Sequence, residues 1–185
     1  IVLLFIVLIA YLLFIVLIAY IKSPKERGKR GEERVSWVIG TTIEGKQYVI
    51  NGLILENNGK TTQIDHIVIN SRGIFVVETK NYSGEIYGGA KSQEWTQSLA
   101  YGNVKIKFYN PLKQNATHVY CVKKVIGNIP IRSVVVMVQN NDYNIDADNV
   151  IGLSDLRRYL KNGEEVLGKI YVISSKRLKR RSFIC

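Results

Sequence analysis

The fold is decided by residues 63–80, which read Gln63-Ile64-Asp65-His66-Ile67-Val68-Ile69-Asn70-Ser71-Arg72-Gly73-Ile74-Phe75-Val76-Val77-Glu78-Thr79-Lys80. Two apolar stretches flank the segment 70–73, whose Asn, Ser and Gly residues are typical of a tight turn. Short runs rich in Val, Ile and Phe are typical of buried strands. The pattern therefore predicts a β-hairpin in which Ile69 pairs with Ile74.

Charged residues interrupt both predicted strands on one face. The register that pairs Ile69 with Ile74 also sets Asp65 opposite Glu78, with Cβ atoms roughly 5 Å apart. Lys80 joins that face because strand side chains alternate with period two. A loop of two or four residues keeps this pairing, whereas a loop of three would turn Asp65 to the opposite face. Adjacent carboxylates repel each other unless a cation or a proton separates them, so the hairpin predicts a divalent-metal site beside a lysine.

A simpler interpretation of the same residues stays open at this point. Asp65 and Glu78 can be charges at strand ends that reach solvent, with Lys80 neutralising Glu78. Each residue taken alone favours this simpler interpretation. The three together, on one predicted face and among Ile and Val residues, favour the metal site.

The first 21 residues carry no charge and no Gly, Pro or Asn, and residues 3–11 recur at once as residues 12–20. An apolar helix of this length spans about 30 Å, the thickness of a bilayer core. We therefore predict a single transmembrane helix at residues 1–21. A secretory signal is the competing interpretation, but its apolar core is usually shorter and ends at a small-residue cleavage site.

Basic residues cluster at both ends of the remaining chain. Residues 22–27 form a basic juxtamembrane linker, and residues 176–185 form a basic tail. Basic residues beside a span tend to stay cytoplasmic, which predicts a single-pass membrane protein whose soluble domain faces the cytoplasm. The formal net charge of +11 suits a polyanionic partner, either nucleic acid or anionic lipid. Charge alone does not separate these two partners.

Residues 28–175 are long enough for one ordinary domain. Two cysteines without CxxC spacing and two histidines exclude a disulfide framework and disfavour a structural zinc site. Helices are expected at 25–40 and from Asn110-Pro111 to Gly127, with another after residue 153. Strands are expected at 47–55, 84–87, 131–138, 150–153 and 170–173, besides the hairpin, with a mixed segment at 91–108. These elements predict an α/β domain.

The chain resembles a known family over approximately residues 28–138. The resemblance is carried by Gly31-Glu32, Ile64-Asp65-His66, Glu78-Thr79-Lys80-Asn81 with Gly84, Trp95, and Asn110-Pro111 with Gln114 and His118, in this order. This order resembles the nuclease-related domain family, NERD, of the restriction-endonuclease-like group with the PD-(D/E)xK signature. The resemblance implies a restriction-endonuclease-like mixed β-sheet flanked by helices.

The same resemblance implies a role for each matching residue. Asp65 and Glu78 would be metal ligands together with the backbone carbonyl of Thr79, and Lys80 would be the catalytic lysine. Glu32 would be the acidic residue of the first helix, and Gln114 the glutamine of the later helix. Each supporting residue also has a structural alternative. Glu32 can stabilise a helix N-terminus, Gln114 can be a solvated helix residue, and His118 can be a packed histidine. We expect His66 and Trp95 to be structural.

This chemistry predicts a Mg²⁺- or Mn²⁺-dependent nuclease that hydrolyses phosphodiester bonds, with DNA favoured over RNA as the substrate, although the sequence does not decide between the two. Carboxylate oxygens suit these hard cations, and a bound cation polarises a phosphoryl oxygen and acidifies a bound water. Two alternatives keep the same fold without turnover. One is a module that binds nucleic acid through phosphate contacts, and the other is a membrane scaffold whose basic clusters contact anionic lipid.

Overall fold

The computed structural model of this chain describes residues 2–21, 23–57, 59–127, 129–139 and 143–163. The predicted strand at 170–173 and the basic tail at 176–185 lie outside the described residues. The described helices are α1 (Val2–Ile21), α2 (Pro24–Ile39), α3 (Pro111–Ile126) and α4 (Leu156–Lys161), the last preceded by a 3₁₀ turn at Leu153–Asp155. The described strands are β1 (Gln47–Asn57), β2 (Lys60–Asn70), β3 (Gly73–Lys80), β4 (Glu85–Gly89), β5 (Glu94–Leu99), β6 (Val104–Tyr109), β7 (Ile131–Met137), β8 (Tyr143–Asp146) and β9 (Val150–Gly152).

The hairpin of β2 and β3 lies at the centre of a five-stranded sheet with the order β1-β2-β3-β7-β9. Strand β2 is antiparallel to both β1 and β3, whereas β7 is parallel to β3 and to β9. Ile69 pairs with Ile74, as the sequence predicted, and Asn70 pairs with Gly73. The mixed sheet expected from the sequence is therefore confirmed.

Helices cover both faces of this sheet, which explains why β3 is apolar without alternation. Ile74 and Val76 pack in one cluster with Cys121 and Val122 of α3. Phe75 and Val77 pack in a second cluster that includes Val35 of α2 and Leu156 of α4. Even-numbered residues of β3 therefore face α3, and odd-numbered residues face α2 and α4.

A second sheet, with the order β6-β5-β4-β8, was not predicted. The segment 91–108, expected to be mixed, forms most of the β5–β6 hairpin, and β8 was missed altogether. Trp95 is fully buried between this sheet and β7, and its Nε1–H donates to the Gly89 carbonyl at 3.1 Å. Its predicted structural role is confirmed. A Cβ at Gly88 would lie 2.2 Å from the Trp95 ring, so only glycine fits there.

Helix α1 contains the apolar repeat. Its side chains are described for residues 5–15, which are all exposed. Among the residues with described side chains, no helix has the length and apolar character required to cross a bilayer. The transmembrane helix predicted at residues 1–21 is not confirmed by this structure, and it stays a prediction.

Candidate active site

The predicted acidic pair lies at the end of the central hairpin. The paired register of β2 and β3 ends at His66 opposite Val77, so the predicted pairing of Asp65 with Glu78 lies just beyond the ladder. Ile64 and Ile67 both pack in the cluster beneath α3, so the alternation of side chains along β2 is interrupted around Asp65. Glu78 and Lys80 share the α3 face of β3, and Asp65 lines the same cavity as these two residues.

Asp65 is attached to the neighbouring strand through its side chain. The Thr79 backbone N–H donates a hydrogen bond to Asp65 Oδ2 at 2.8 Å. The N–H and the carbonyl of one strand residue point to the same side of the strand, so the Thr79 carbonyl also points towards Asp65. The hydroxyl of Thr79 is buried and has no hydrogen-bond partner in the described part of the chain. Thr79 thus contacts Asp65 through its backbone N–H and not through its side chain.

Glu78 is buried and ion-paired. Its side chain is only 2% exposed, and its Oε1 lies 2.7 Å from Lys80 Nζ. Lys80 Nζ also donates to Gln114 Oε1 on α3 at 3.0 Å. Gln114 is therefore not a freely solvated helix residue, because it holds the lysine that neutralises Glu78.

The second oxygen of Glu78 faces a histidine. His118 Nδ1, on α3, lies 3.3 Å from Glu78 Oε2, and both side chains are almost fully buried. Neither of these two atoms has a hydrogen-bond partner within the described residues. His118 follows Gln114 by one helical turn, so the two residues approach the Lys80–Glu78 pair from the same face of α3.

Helix α2 brings the remaining predicted acid to the site. Asn81, directly after Lys80, donates from Nδ2 to the Arg27 carbonyl of α2 at 2.7 Å. The helix can approach this closely because residue 31 is glycine. A Cβ at Gly31 would lie 2.6 Å from the Asn81 Cβ. Glu32 follows directly, and partial burial together with the negative charge of Glu78 raises its pKa.

One cavity of about 420 Å³ joins all of these groups. Every residue predicted for the site lines it, namely Glu32, Asp65, Glu78, Thr79, Lys80 and Gln114. Two larger surface grooves, of about 720 and 750 Å³, lie elsewhere and contain none of them. We take the smaller cavity as the site because the paired carboxylates and the lysine converge only there among these three.

Asp65 is the most strongly perturbed acid of the site. Burial, followed by the negative charge of Glu78, raises the pKa of Asp65 to about 7, although the Thr79 hydrogen bond acts in the opposite direction. Such a shift is typical of carboxylates that share a site. A bound cation would relieve the same repulsion that the proton relieves.

The donor atoms suit a hard divalent cation. Asp65, Glu78 and the Thr79 carbonyl offer oxygen ligands, which Mg²⁺ and Mn²⁺ prefer. The described part of the chain contains no cluster of three or more His, Cys, Asp or Glu side chains arranged to hold a metal. The two oxygens of Glu78 face Lys80 and His118.

His66, next to Asp65 in sequence, belongs to the opposite side of the sheet. Its Nδ1 lies 2.9 Å from Asn51 Oδ1, and Asn51 Nδ2 donates to Ser36 Oγ of α2 at 3.1 Å. Burial lowers the pKa of His66 to about 4. The residue therefore stays neutral near pH 7 and links β2 to β1 and α2, in agreement with the structural role expected for it.

The fold and the cavity define an α/β domain compatible with a nuclease-like fold. The chain belongs to the nuclease-related domain family, NERD, whose model matches residues 27–138. The chain is also similar to an uncharacterized protein of Bacillus anthracis (pXO1-01), with 40% identity over 122 residues. This match covers 65% of the chain and 57% of that relative. No solved structure matches the chain. The matched part of the chain is therefore a nuclease-related domain.

Asn81 and Arg27 line the cavity, and neither of them was assigned a role in the site from the sequence. Asn81 holds α2 against the end of β3, and its Oδ1 accepts from Gln139 Nε2 at 3.2 Å. Arg27 lines the cavity, although the sequence pattern assigned it to the juxtamembrane linker. The position of Asn81 directly after Glu-x-Lys was a usable signal for its role. No such signal indicated the role of Arg27, because the residue lies within a run of basic residues that was interpreted as a linker.

Proposed function

We propose that this domain is a divalent-metal-dependent nuclease that hydrolyses phosphodiester bonds, with DNA as its substrate. The observation that supports the proposal is the convergence of Asp65, Glu78, Thr79 and Lys80 in one cavity. A buried carboxylate with a raised pKa, such as Asp65, is common at catalytic sites. Membership in the nuclease-related domain family agrees with this chemistry.

Asp65, Glu78 and the Thr79 carbonyl would hold the ion, Mg²⁺ or Mn²⁺. When bound, the ion supplies a polarised phosphoryl oxygen and a water that is more readily deprotonated. Thr79 keeps Asp65 oriented, because its N–H fixes one of the two carboxylate oxygens. Gln114 keeps Lys80 inside the cavity through a 3.0 Å hydrogen bond. From there, the ammonium group can stabilise negative charge that develops on a phosphate.

Cleavage of plasmid DNA by the full chain tests this proposal. We expect nicking in the presence of Mg²⁺ or Mn²⁺, loss of nicking in EDTA, and loss of at least about 100-fold in the Asp65→Ala variant, as for removal of a group that stabilises the transition state. Glu94→Ala is the matched control, because Glu94 is an exposed acid outside the cavity. Equal nicking by wild type and Asp65→Ala would refute the proposal. Parallel reactions with RNA determine the preferred substrate.

A module that binds nucleic acid without cutting it is the second candidate function. Its support is the Lys80–Glu78 ion pair, which neutralises a buried acid without any metal. Affinity for DNA that falls steeply with salt, without any product in Mg²⁺ or Mn²⁺, would favour this candidate. Liposome binding without affinity for nucleic acid would favour a membrane scaffold instead.

The location of the domain is a separate part of the proposal. We propose that residues 1–21 anchor the chain in a membrane and that the domain faces the cytoplasm. The support is the uncharged apolar sequence followed by Lys22, Lys25 and Arg27. Membrane fractionation tests the anchor, and protease treatment of intact and opened cells tests the orientation. Recovery of the chain in the supernatant after high-speed centrifugation would refute the anchor.

A further inference from the structure

Arg27 and Lys80 are the cationic side chains that line the cavity in the described part of the chain. They differ in what they contact. Lys80 is occupied by Glu78 at 2.7 Å and by Gln114 at 3.0 Å. The guanidinium of Arg27 makes no hydrogen bond or ion pair with the described residues. It is therefore the cation that is available to an anionic ligand.

The backbone at Arg27 is held to Asn81, the residue that directly follows β3. The Arg27 carbonyl accepts from Asn81 Nδ2 at 2.7 Å, and the Arg27 N–H donates to the Ser23 carbonyl at 3.0 Å. One turn later, Gly31 allows the helix to touch the Asn81 side chain. A side chain carried by a fixed backbone loses less conformational entropy when it binds a ligand. The side chain of Arg27 therefore extends from a fixed backbone position at the rim of the acidic cavity.

We propose that Arg27 binds a backbone phosphate of the nucleic acid, next to the phosphodiester that faces Asp65 and Glu78. A planar guanidinium can donate two parallel hydrogen bonds to one phosphate group. The contact carries no sequence information, but it sets the register of the strand in the cavity. The location of the cut bond rests on the proposed nuclease function, whereas the phosphate contact does not require cleavage.

Nucleic acid is favoured over a lipid headgroup because Arg27 shares its cavity with the carboxylates and Lys80. A lipid phosphate would be expected to bind basic residues on the outer surface of α2. Lys29 is such a residue, since it is exposed and does not line the cavity. Successive helix residues are about 100° apart, so a position two residues away projects from the far side. Lys29 is therefore a charge-matched control for Arg27.

The test measures the binding of fluorescent DNA and RNA oligonucleotides to the full chain in uncharged detergent, with EDTA present so that nothing is cut. For Arg27→Gln we expect weaker binding and a plot of log affinity against log salt whose slope is smaller by about 0.7–0.9, the loss of one phosphate contact. Lys29→Gln should retain the wild-type slope. Arg27→Lys should restore the slope, because it restores the charge.

Equal slopes for Arg27→Gln and Lys29→Gln would overturn the proposal. An Arg27→Gln effect confined to mixed micelles that contain anionic phosphatidylglycerol would also overturn it, in favour of lipid. Circular dichroism and thermal unfolding of each variant establish that the fold is intact. A change of slope without metal-dependent cleavage would support the Arg27 contact while refuting the nuclease, so the two failures are distinguishable.

Discussion

The Thr79 backbone N–H and the Asp65 carboxylate are joined by a hydrogen bond of 2.8 Å. It lies beyond the last backbone pair of the hairpin, His66 with Val77. The side chain of Asp65 therefore serves as the acceptor for a strand donor that lies beyond the paired ladder. This bond uses Asp65 Oδ2 and fixes the orientation of the carboxylate.

Substitution of Asp65 by Asn should separate metal binding from folding. The amide oxygen of Asn can still accept from Thr79, and the change removes the repulsion with Glu78. We expect the metal-free melting temperature at pH 8 to be equal to or above that of wild type. The increase in melting temperature on addition of Mn²⁺ should disappear, since a ligand stabilises only the state that binds it. A retained Mn²⁺ response would exclude Asp65 as a ligand.

The stability of the metal-free protein should depend on pH through Asp65. Its pKa is about 7 in the folded state against an ordinary 3.8, so the folded state binds this proton more tightly than the unfolded chain. The contribution of Asp65 to stability therefore falls as pH rises from about 4 to about 7 and is constant above. His66 acts in the opposite direction, because its lowered pKa makes stability rise between about 4 and 6.5.

The difference between wild type and Asp65→Asn isolates the Asp65 contribution from that of His66. Denaturant unfolding at pH 5, 6, 7 and 8 measures it. The same proton competes with the metal, so the Mn²⁺-induced stabilisation should be small at pH 5–6 and reach a plateau above about pH 8. A difference between the two proteins that is independent of pH would contradict the raised pKa.

Two glycines of α2 should respond in opposite directions to alanine. Gly31→Ala places a Cβ 2.6 Å from the Asn81 Cβ, and overpacking of this kind costs about 1–3 kcal/mol. Gly28→Ala meets no atom within 4 Å and gains helix propensity, which raises stability by up to about 1 kcal/mol. Urea unfolding measures both changes. Equal effects would mean that α2 does not rest on Asn81 as described.

Among the described residues, the lysine–glutamate pairs Lys80–Glu78 and Lys107–Glu94 should contribute very different free energies to folding. Lys80→Met leaves the buried Glu78 without its cation, a change that costs about 3–5 kcal/mol when such a pair is broken. Lys107→Met breaks the exposed pair with Glu94, at 3.8 Å, and should cost no more than about 1 kcal/mol. Thermal and urea unfolding without metal check this. Equal destabilisation would show that the cavity pair is solvated.

The central hairpin was predictable because it depends on local rules. The turn at 70–73 fixes the register of the paired residues, and strand alternation places Glu78 and Lys80 on one face of β3. Helix α3 was also predictable, because Asn110 caps it and Pro111 occupies its first position. These signals lie within a few residues of the elements that they determine.

The pairing of the second sheet was not predictable by the same rules. Strand β6 did carry a local signal, because apolar and basic residues alternate along Val104-Lys105-Ile106-Lys107-Phe108, although almost every residue of the strand is exposed. Strand β8 pairs in parallel with β4, which lies more than fifty residues earlier in the chain. Local sequence patterns do not indicate a pairing partner at that distance. The position of Arg27 at the cavity depends in the same way on a contact between α2 and Asn81 that only the tertiary structure reveals.

The Lys80–Glu78 contact balances the charge of a buried acid from within the fold. Lys80 Nζ also donates to Gln114 Oε1, so the ammonium group joins β3 to α3 at the cavity. A change at Gln114 on the helix would therefore reach Glu78 on the strand through this one lysine.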